Sequence, residues 1–255
     1  MLGSQQHITF KQDTHQYFDP QGNEFKSVSR VLRTVTPEFD RKGISMAIAR
    51  VQASTMGQSV AECQQQILDE WDQIRDSSIQ RGNWIHENIE SYLTIGSCDK
   101  KIIPVGKRIA LFLKPFYRYF CESVIYDSTY SVAGTADLSV QRQRDRQGVY
   151  DFYDFKTNES RGIYYDSIKR EDNGSIKKHY NQFLKDPLSH LEHCNYNLYA
   201  LQLSMYAYMA ERTFSIRVGR LGIIFIDGDL GVKMLPVPYM KCEVRQLLEH
   251  IEYQK

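Results

Sequence analysis

Apolar residues recur along this chain with two different periods, and the change from one to the other marks out its elements. Short alternating runs, HITF, HQYFD and EFKS, broken by Pro20-Gln21-Gly22-Asn23, predict a strand hairpin over residues 7–27. Ser27 and Ser29 then stand where they would cap a short helix carrying Val28, Val31 and Leu32. From 41 to 93 the chain is free of proline and reads as three helices separated near Gly57 and Ser77-Ser78. The last of these, residues 78–93, turns Ile85, Ile89, Tyr92 and Leu93 to a core. Residues 104–121 predict a further buried helix through Ile109, Phe112, Leu113, Phe116 and Phe120, kinked or divided at Pro115.

Period two then returns, predicting strands near 124–132, 134–141 and 149–156. A polar stretch follows over 158–194. A helix over 195–212 carries Leu198, Leu201, Met205 and Tyr208 on one stripe; strands at 220–227 and 232–237 and a helix over 239–253 close the chain. The order helix, three strands, helix, strand predicts a mixed α/β (α+β) fold with a central mixed sheet flanked by helices. The domain reading is an N-terminal hairpin and helical addition over 1–77, packed on a core over 78–255 that carries an insertion at 158–194.

Composition narrows this only in places. With 255 residues, 42% hydrophobic and 12% aromatic, the chain suits one folded domain with elaborations. No apolar run is long enough to span a bilayer and the first residues lack a signal peptide's apolar segment, so the expectation is an intracellular, cytoplasmic protein with no membrane partner. The net charge of +1 supplies no global basic field, so any contact with nucleic acid must rest on local clusters. Five cysteines without a CxxC pair point to buried free thiols.

The candidate chemistry lies between Val132 and Thr157. If the two strands there form a hairpin turning at Asp145-Arg146, Asp137 and Asp154 face each other, and two opposed carboxylates repel unless a cation lies between them. Alternation puts Lys156 on the face of Asp154, while Thr135 and Ser139 flank Asp137 with small polar groups. Two carboxylates to hold Mg²⁺ or Mn²⁺ and a lysine to position water are the parts for phosphodiester hydrolysis. Four residues apart on the preceding helix, His86 and Glu90 form a stripe able to look into the same pocket, although a lone helix histidine is more often an ordinary one. In the 158–194 stretch, Lys177, Lys178 and other basic residues alternate with Tyr164, Tyr165, Tyr180 and Phe183, a pattern suited to single-stranded nucleic acid. Arg30 beside the Ser27 cap offers a phosphate contact, with a plain helix cap as the simpler reading.

These residues resemble the PD-(D/E)xK nuclease superfamily, and within it the RecB-like exonucleases of the phage-type and mitochondrial genome-maintenance kind. The resemblance rests on Gly82, His86 and Glu90 in RGNWIHENIE, on Gly134-Thr135-Ala136-Asp137, on Asp154-Phe155-Lys156-Thr157, and on Gln202 and Tyr206 in LQLSMYAY. It implies a restriction-endonuclease-like core. It also implies a metal held by His86, Asp137, Asp154 and the Phe155 carbonyl, with Lys156 positioning the water and Glu90 assisting or orienting a neighbour. Gln202 and Tyr206 would shape the site and contact DNA. No iron-sulfur cluster is expected, because the four-cysteine pattern of some relatives is missing. The function implied is a Mg²⁺- or Mn²⁺-dependent deoxyribonuclease of DNA repair or recombination, an exonuclease preferring single-stranded ends. The alternatives are a non-catalytic nucleic-acid-binding module on the same fold, or an endonuclease of repair or restriction type.

Overall fold

The structure, a computed structural model, describes residues 8–11, 14–144, 148–157, 162–170, 176–179 and 181–253, with the backbone alone for 169–170 and 176–179. The chain divides into two compact units, Met1–Pro37 with His86–Lys255, and Glu38–Ile85. The expected boundary at 77/78 falls inside a helix, and the N-terminal hairpin belongs to the larger unit.

The larger unit is built on an eight-stranded mixed sheet. Three short strands, β1 (Thr9–Lys11), β2 (Gln16–Phe18) and β3 (Glu24–Ser27), lead into helix α1 (Val28–Val35), whose N-cap Ser27 accepts the Arg30 N–H. Helix α2 (Arg41–Met56) and α3 (Val60–Ile95) follow, and α4 (Ile103–Leu113) precedes the long strands β4 (Arg118–Asp127), β5 (Val132–Gln141) and β6 (Val149–Lys156). A two-stranded ladder, β7 (Ile168–Arg170) with β8 (Ile176–His179), leads to α5 (Asn195–Phe214). Strands β9 (Arg217–Ile226) and β10 (Val232–Val237) and helix α6 (Lys241–Tyr253) complete the chain. The sheet order is β1-β2-β3-β5-β6-β9-β10, with β4 paired to β5 off that path. The α-β-β-β-α-β order is present as α3, β4, β5, β6, α5 and β9, and β6 runs parallel to β9 as a crossover through α5 requires.

Helix α5 is apolar on nearly every side, with residues 200, 201 and 203–210 all buried, so it lies inside the unit rather than on its surface. With α1 and α6 it encloses Phe152, Leu221, Ile223 and Phe225 from the sheet. Each fully buried Leu or Met there contributes roughly 1.5–3 kcal/mol relative to exposure. The other face of the sheet is covered by α4, whose Phe112 ring stands edge-on to Tyr153 at 5.3 Å, and by the end of α3, where Leu93 O accepts the Tyr119 hydroxyl at 2.7 Å.

The smaller unit holds α2 and α3 as far as Ile85 around Ala49, Cys63 and Ile67. Asp40 caps α2, Gly57 ends it in the left-handed region (φ 67), and Ser59 with Glu62 forms a reciprocal capping box at the start of α3.

Three expectations are corrected. Helix α3 runs through Ser77-Ser78, and on through Gly82, without a break, because two serines cost a helix only tenths of a kcal/mol, one glycine costs about 1 kcal/mol, and no proline stands there to end it. The helix expected over 104–121 stops at Leu113, ahead of Pro115, and Phe120 lies instead on β4, which begins at Arg118 rather than near 124. Of the five cysteines, all free thiols, Cys63 and Cys194 are buried, Cys98 and Cys121 partly exposed and Cys242 exposed.

Candidate functional site

One edge of β5 is paired along its length with β4. Its other edge is shared: β3 takes Val132 and Ala133 in parallel, and β6 takes Leu138 to Gln141 antiparallel. Gly134 to Asp137 fall in the gap between those two ladders. The hairpin register is the expected one, since Leu138 pairs Tyr153 and Gln141 pairs Tyr150, which sets Asp137 opposite Asp154 at the next step. Regular pairing has ended there, and the Asp137 carboxylate replaces it by accepting the Phe155 N–H on Oδ2 at 2.7 Å. Gly134 is required at the start of the gap: a Cβ on it would lie 2.6 Å from Tyr206 Cε1 and 2.9 Å from Val28 Cγ2. The Gly-Thr-Ala-Asp segment and the Gln-x-x-x-Tyr helix are thus parts of one packing solution.

Lys156 forms an ion pair with Asp154 Oδ2. Its Nζ also donates to Gln202 Oε1 at 3.2 Å and stands 4.8 Å from the centre of the Tyr199 ring. Gln202 Nε2 donates in turn to the Tyr206 hydroxyl at 3.0 Å, so α5 orients the lysine through an amide held at both ends. Burial works against the lysine's charge, but the carboxylates of Asp154 and Asp137 outweigh it and hold the ammonium above the usual lysine range. His86 approaches from α3 with Nδ1 3.5 Å from Asp137 Oδ2, its ring edge-on to Phe155 with centroids 5.6 Å apart.

A third carboxylate enters from β4. Glu122 has a left-handed backbone (φ 48) in mid-strand, between the pairs Cys121–Leu138 and Ser123–Ala136 and so across from Asp137. One donor atom each of His86, Glu122 and Asp137 all lie within 4.8 Å of one another. Among the described residues the Glu122 carboxylate has no hydrogen bond or ion pair, and the charges that act on it, Asp137, Glu90 and Asp154, are all negative. Burial and then those neighbours push Glu122 up to about 8. Burial and Asp154 likewise push Asp137 up to about 6, against the opposing pull of His86 and Lys156. The site therefore holds more carboxylate than its own cations balance. Carboxylate oxygens with one imidazole suit a divalent ion such as Mg²⁺ or Mn²⁺, so the residues present fit the metal expected of them.

The remaining candidates are distributed as follows. Glu90 lies one turn beyond His86 and bears on Glu122 and Cys121 through its charge, but stays outside the group of three donors. Arg30 pairs with Glu24 at 3.0 Å and lines a cavity of about 340 Å³ with Lys26, Thr34 and Ile251, none of them a site residue. Lys177 and Lys178 lie on β8, and their side chains fall outside the described part of the structure, as does Tyr180.

Sequence reasoning missed Glu122, Tyr199 and Tyr17, the last of which shares a hydrogen bond of 3.0 Å between its hydroxyl and Thr135 Oγ1. Glu122 had a usable signal. Carrying the alternating pattern back from 124 to 118 would have set it opposite Asp137. Tyr17 had none, because nothing local indicates that β3 docks on β5.

No family model matches the sequence, and no curated protein sequence matches it. Among solved structures, one described as "Putative exonuclease" from Eubacterium rectale aligns with a TM-score of 0.36 and 11% identity, covering 69% of this chain and 64% of its own. The chain thus spans a little under two thirds of that structure. A second, SSO0001, aligns with a TM-score of 0.25 and 14% identity over 67% of this chain and 71% of its own.

Proposed function

We propose that this chain is a divalent-metal-dependent nuclease that hydrolyses DNA phosphodiester bonds, acting as an exonuclease on single-stranded ends. The observation that carries the reading is the convergence of Asp137, Asp154, Lys156 and His86 on the gap in the β5 edge. Asp137, Asp154 and His86 would hold the ion, with the Phe155 carbonyl as a further ligand. When bound, such an ion lowers the pKa of a water and offsets charge on the phosphate.

The chain's own residues account for the rest. Lys156 is kept charged, and Gln202 and Asp154 restrict where its three N–H groups point, so that one is left to orient a water or a phosphate oxygen. Tyr206 fixes Gln202 and closes against Gly134. The Asp137 carboxylate is locked by the Phe155 N–H, which limits reorganisation during reaction. The products expected from in-line attack opposite the 3′ oxygen are a 5′-phosphate and a free 3′-hydroxyl.

The test is an end-labelled linear single strand against its covalently closed circle, with Mg²⁺ or Mn²⁺ and with chelator. Cleavage of the linear strand alone, abolished by chelator, is the expected result. Equal cleavage of both would make it an endonuclease, and binding without cleavage would make it a nucleic-acid-binding module.

A further inference from the structure

We propose that Glu122 is a protein ligand of the cation at this site, acting with His86 and Asp137, and that this set of three takes up the ion before any nucleic acid arrives. The inference rests on the reading of the site as metal-dependent and adds to it a residue outside the motifs that suggested it. Its basis is geometric. The three donors come from three elements, α3, β4 and β5, and still lie mutually within 4.8 Å, with His86 Nδ1 and Asp137 Oδ2 3.5 Å apart. Ligands about 2.1 Å from a six-coordinate ion are separated from each other by roughly 3 Å when adjacent and roughly 4 Å when opposed, so these donors need little movement to share one ion.

Glu122 also lacks any other occupation. Its carboxylate has no hydrogen bond or ion pair among the described residues, and it points into a neighbourhood of Asp137, Glu90 and Asp154. A partly buried carboxylate crowded by other acids is costly, and a cation removes the cost. The backbone agrees, since a left-handed non-glycine residue in mid-strand is strained and persists only where the surroundings enforce it. An ion held through one or two carboxylates usually depends on substrate phosphates to complete its shell, whereas Glu122 added to the aspartates and the imidazole gives the protein a third carboxylate with which to hold the ion by itself.

The experiment is Mn²⁺ binding to the full chain without nucleic acid, followed by the loss of the free Mn²⁺ paramagnetic signal and by calorimetry. Wild type, Glu122→Gln and, as a control on an exposed acid, Glu24→Gln are compared, with circular dichroism as the check on folding. Wild type and Glu24→Gln should bind equally, and Glu122→Gln, close to isosteric, should remain folded and bind at least ~10-fold more weakly. Affinity within twofold of wild type in folded Glu122→Gln, or no Mn²⁺ binding by wild type without DNA, would overturn the proposal. Failure here is separable from failure of the nuclease reading. Cleavage of DNA with metal affinity indifferent to Glu122→Gln removes only the ligand role, and Glu122-dependent Mn²⁺ binding without cleavage of any nucleic acid supports the ligand role and removes only the nuclease.

Discussion

Two sets of acids stand on the same sheet and are treated in opposite ways. Asp151 and Asp127 are each matched by an arginine. Arg142 Nε donates to both oxygens of Asp151 at 2.8 and 3.0 Å, and the Arg220 N–H adds a third bond at 2.6 Å. Asp127 accepts from Arg212 Nε and from the Thr129 N–H at 2.8 Å. At the other set, Asp137, Asp154 and Glu122 act on one another through their charges, with Lys156 paired to Asp154 and the His86 imidazole 3.5 Å from Asp137, and two of the three carboxyls are displaced upward. Satisfied acids of the first kind hold the fold together, whereas the second kind leaves electrostatic work undone that a bound cation completes.

The sharpest break in this contrast is catalytic. Asp154→Ala and Lys156→Ala should each lower cleavage by about 10²–10⁴-fold in protein that circular dichroism shows to be folded, because the two groups act at the reaction; each variant also strands a buried partner and so loses some stability. Either variant cleaving at the parent rate would return the pair to an ordinary buried ion pair. The converse holds for the structural set. Asp151→Ala strands Arg142 and the Arg220 N–H, and denaturant titration should register a loss of about 3–5 kcal/mol.

A smaller effect tests the packing that ties the two motifs together. Gly134→Ala drives a methyl against Tyr206 and Val28, and should cost about 1–3 kcal/mol while displacing Gln202 and so weakening activity as well. Wild-type stability in that variant would show that the approach of Tyr206 is not required.

The last expected effect is on pH. In metal-free protein Asp137 at about 6 and Glu122 at about 8 both lie above their unfolded values of roughly 4, so their contribution to stability is full below pH ~4 and is lost as pH rises through 6 and 8. Thermal melts in chelator should therefore fall between pH 5 and 8, Glu122→Gln should flatten the fall, and added Mn²⁺ should oppose it. A wild-type profile that rises across this window would contradict the assigned charges.

Much of this was legible because it depends on short separations in sequence. The facing of Asp137 and Asp154 follows from hairpin arithmetic, and the observed pairing of Leu138 with Tyr153 keeps that register. The helix spacing of Gln202 and Tyr206 needed only the 3.6-residue period, and their hydrogen bond follows. Element ends were less legible. The unbroken α3 and the early start of β4 each turned on weak local signals, two serines in the first case and a proline three residues ahead of the strand in the second.

What the sequence by itself determined is the set of groups that local geometry must bring together: two carboxylates across a hairpin, a lysine two residues along one strand, and an amide and a phenol on one helical stripe. Only the tertiary structure decided that β3 would dock parallel on β5 and leave one edge of Gly134 to Asp137 open, that Tyr17 would reach Thr135, and that Glu122 would come to face Asp137. The physical reason is the range of the interactions. Periodicity and turn chemistry act over a few residues, while the choice of a sheet neighbour depends on total burial and on which edges remain open, and no local segment encodes that.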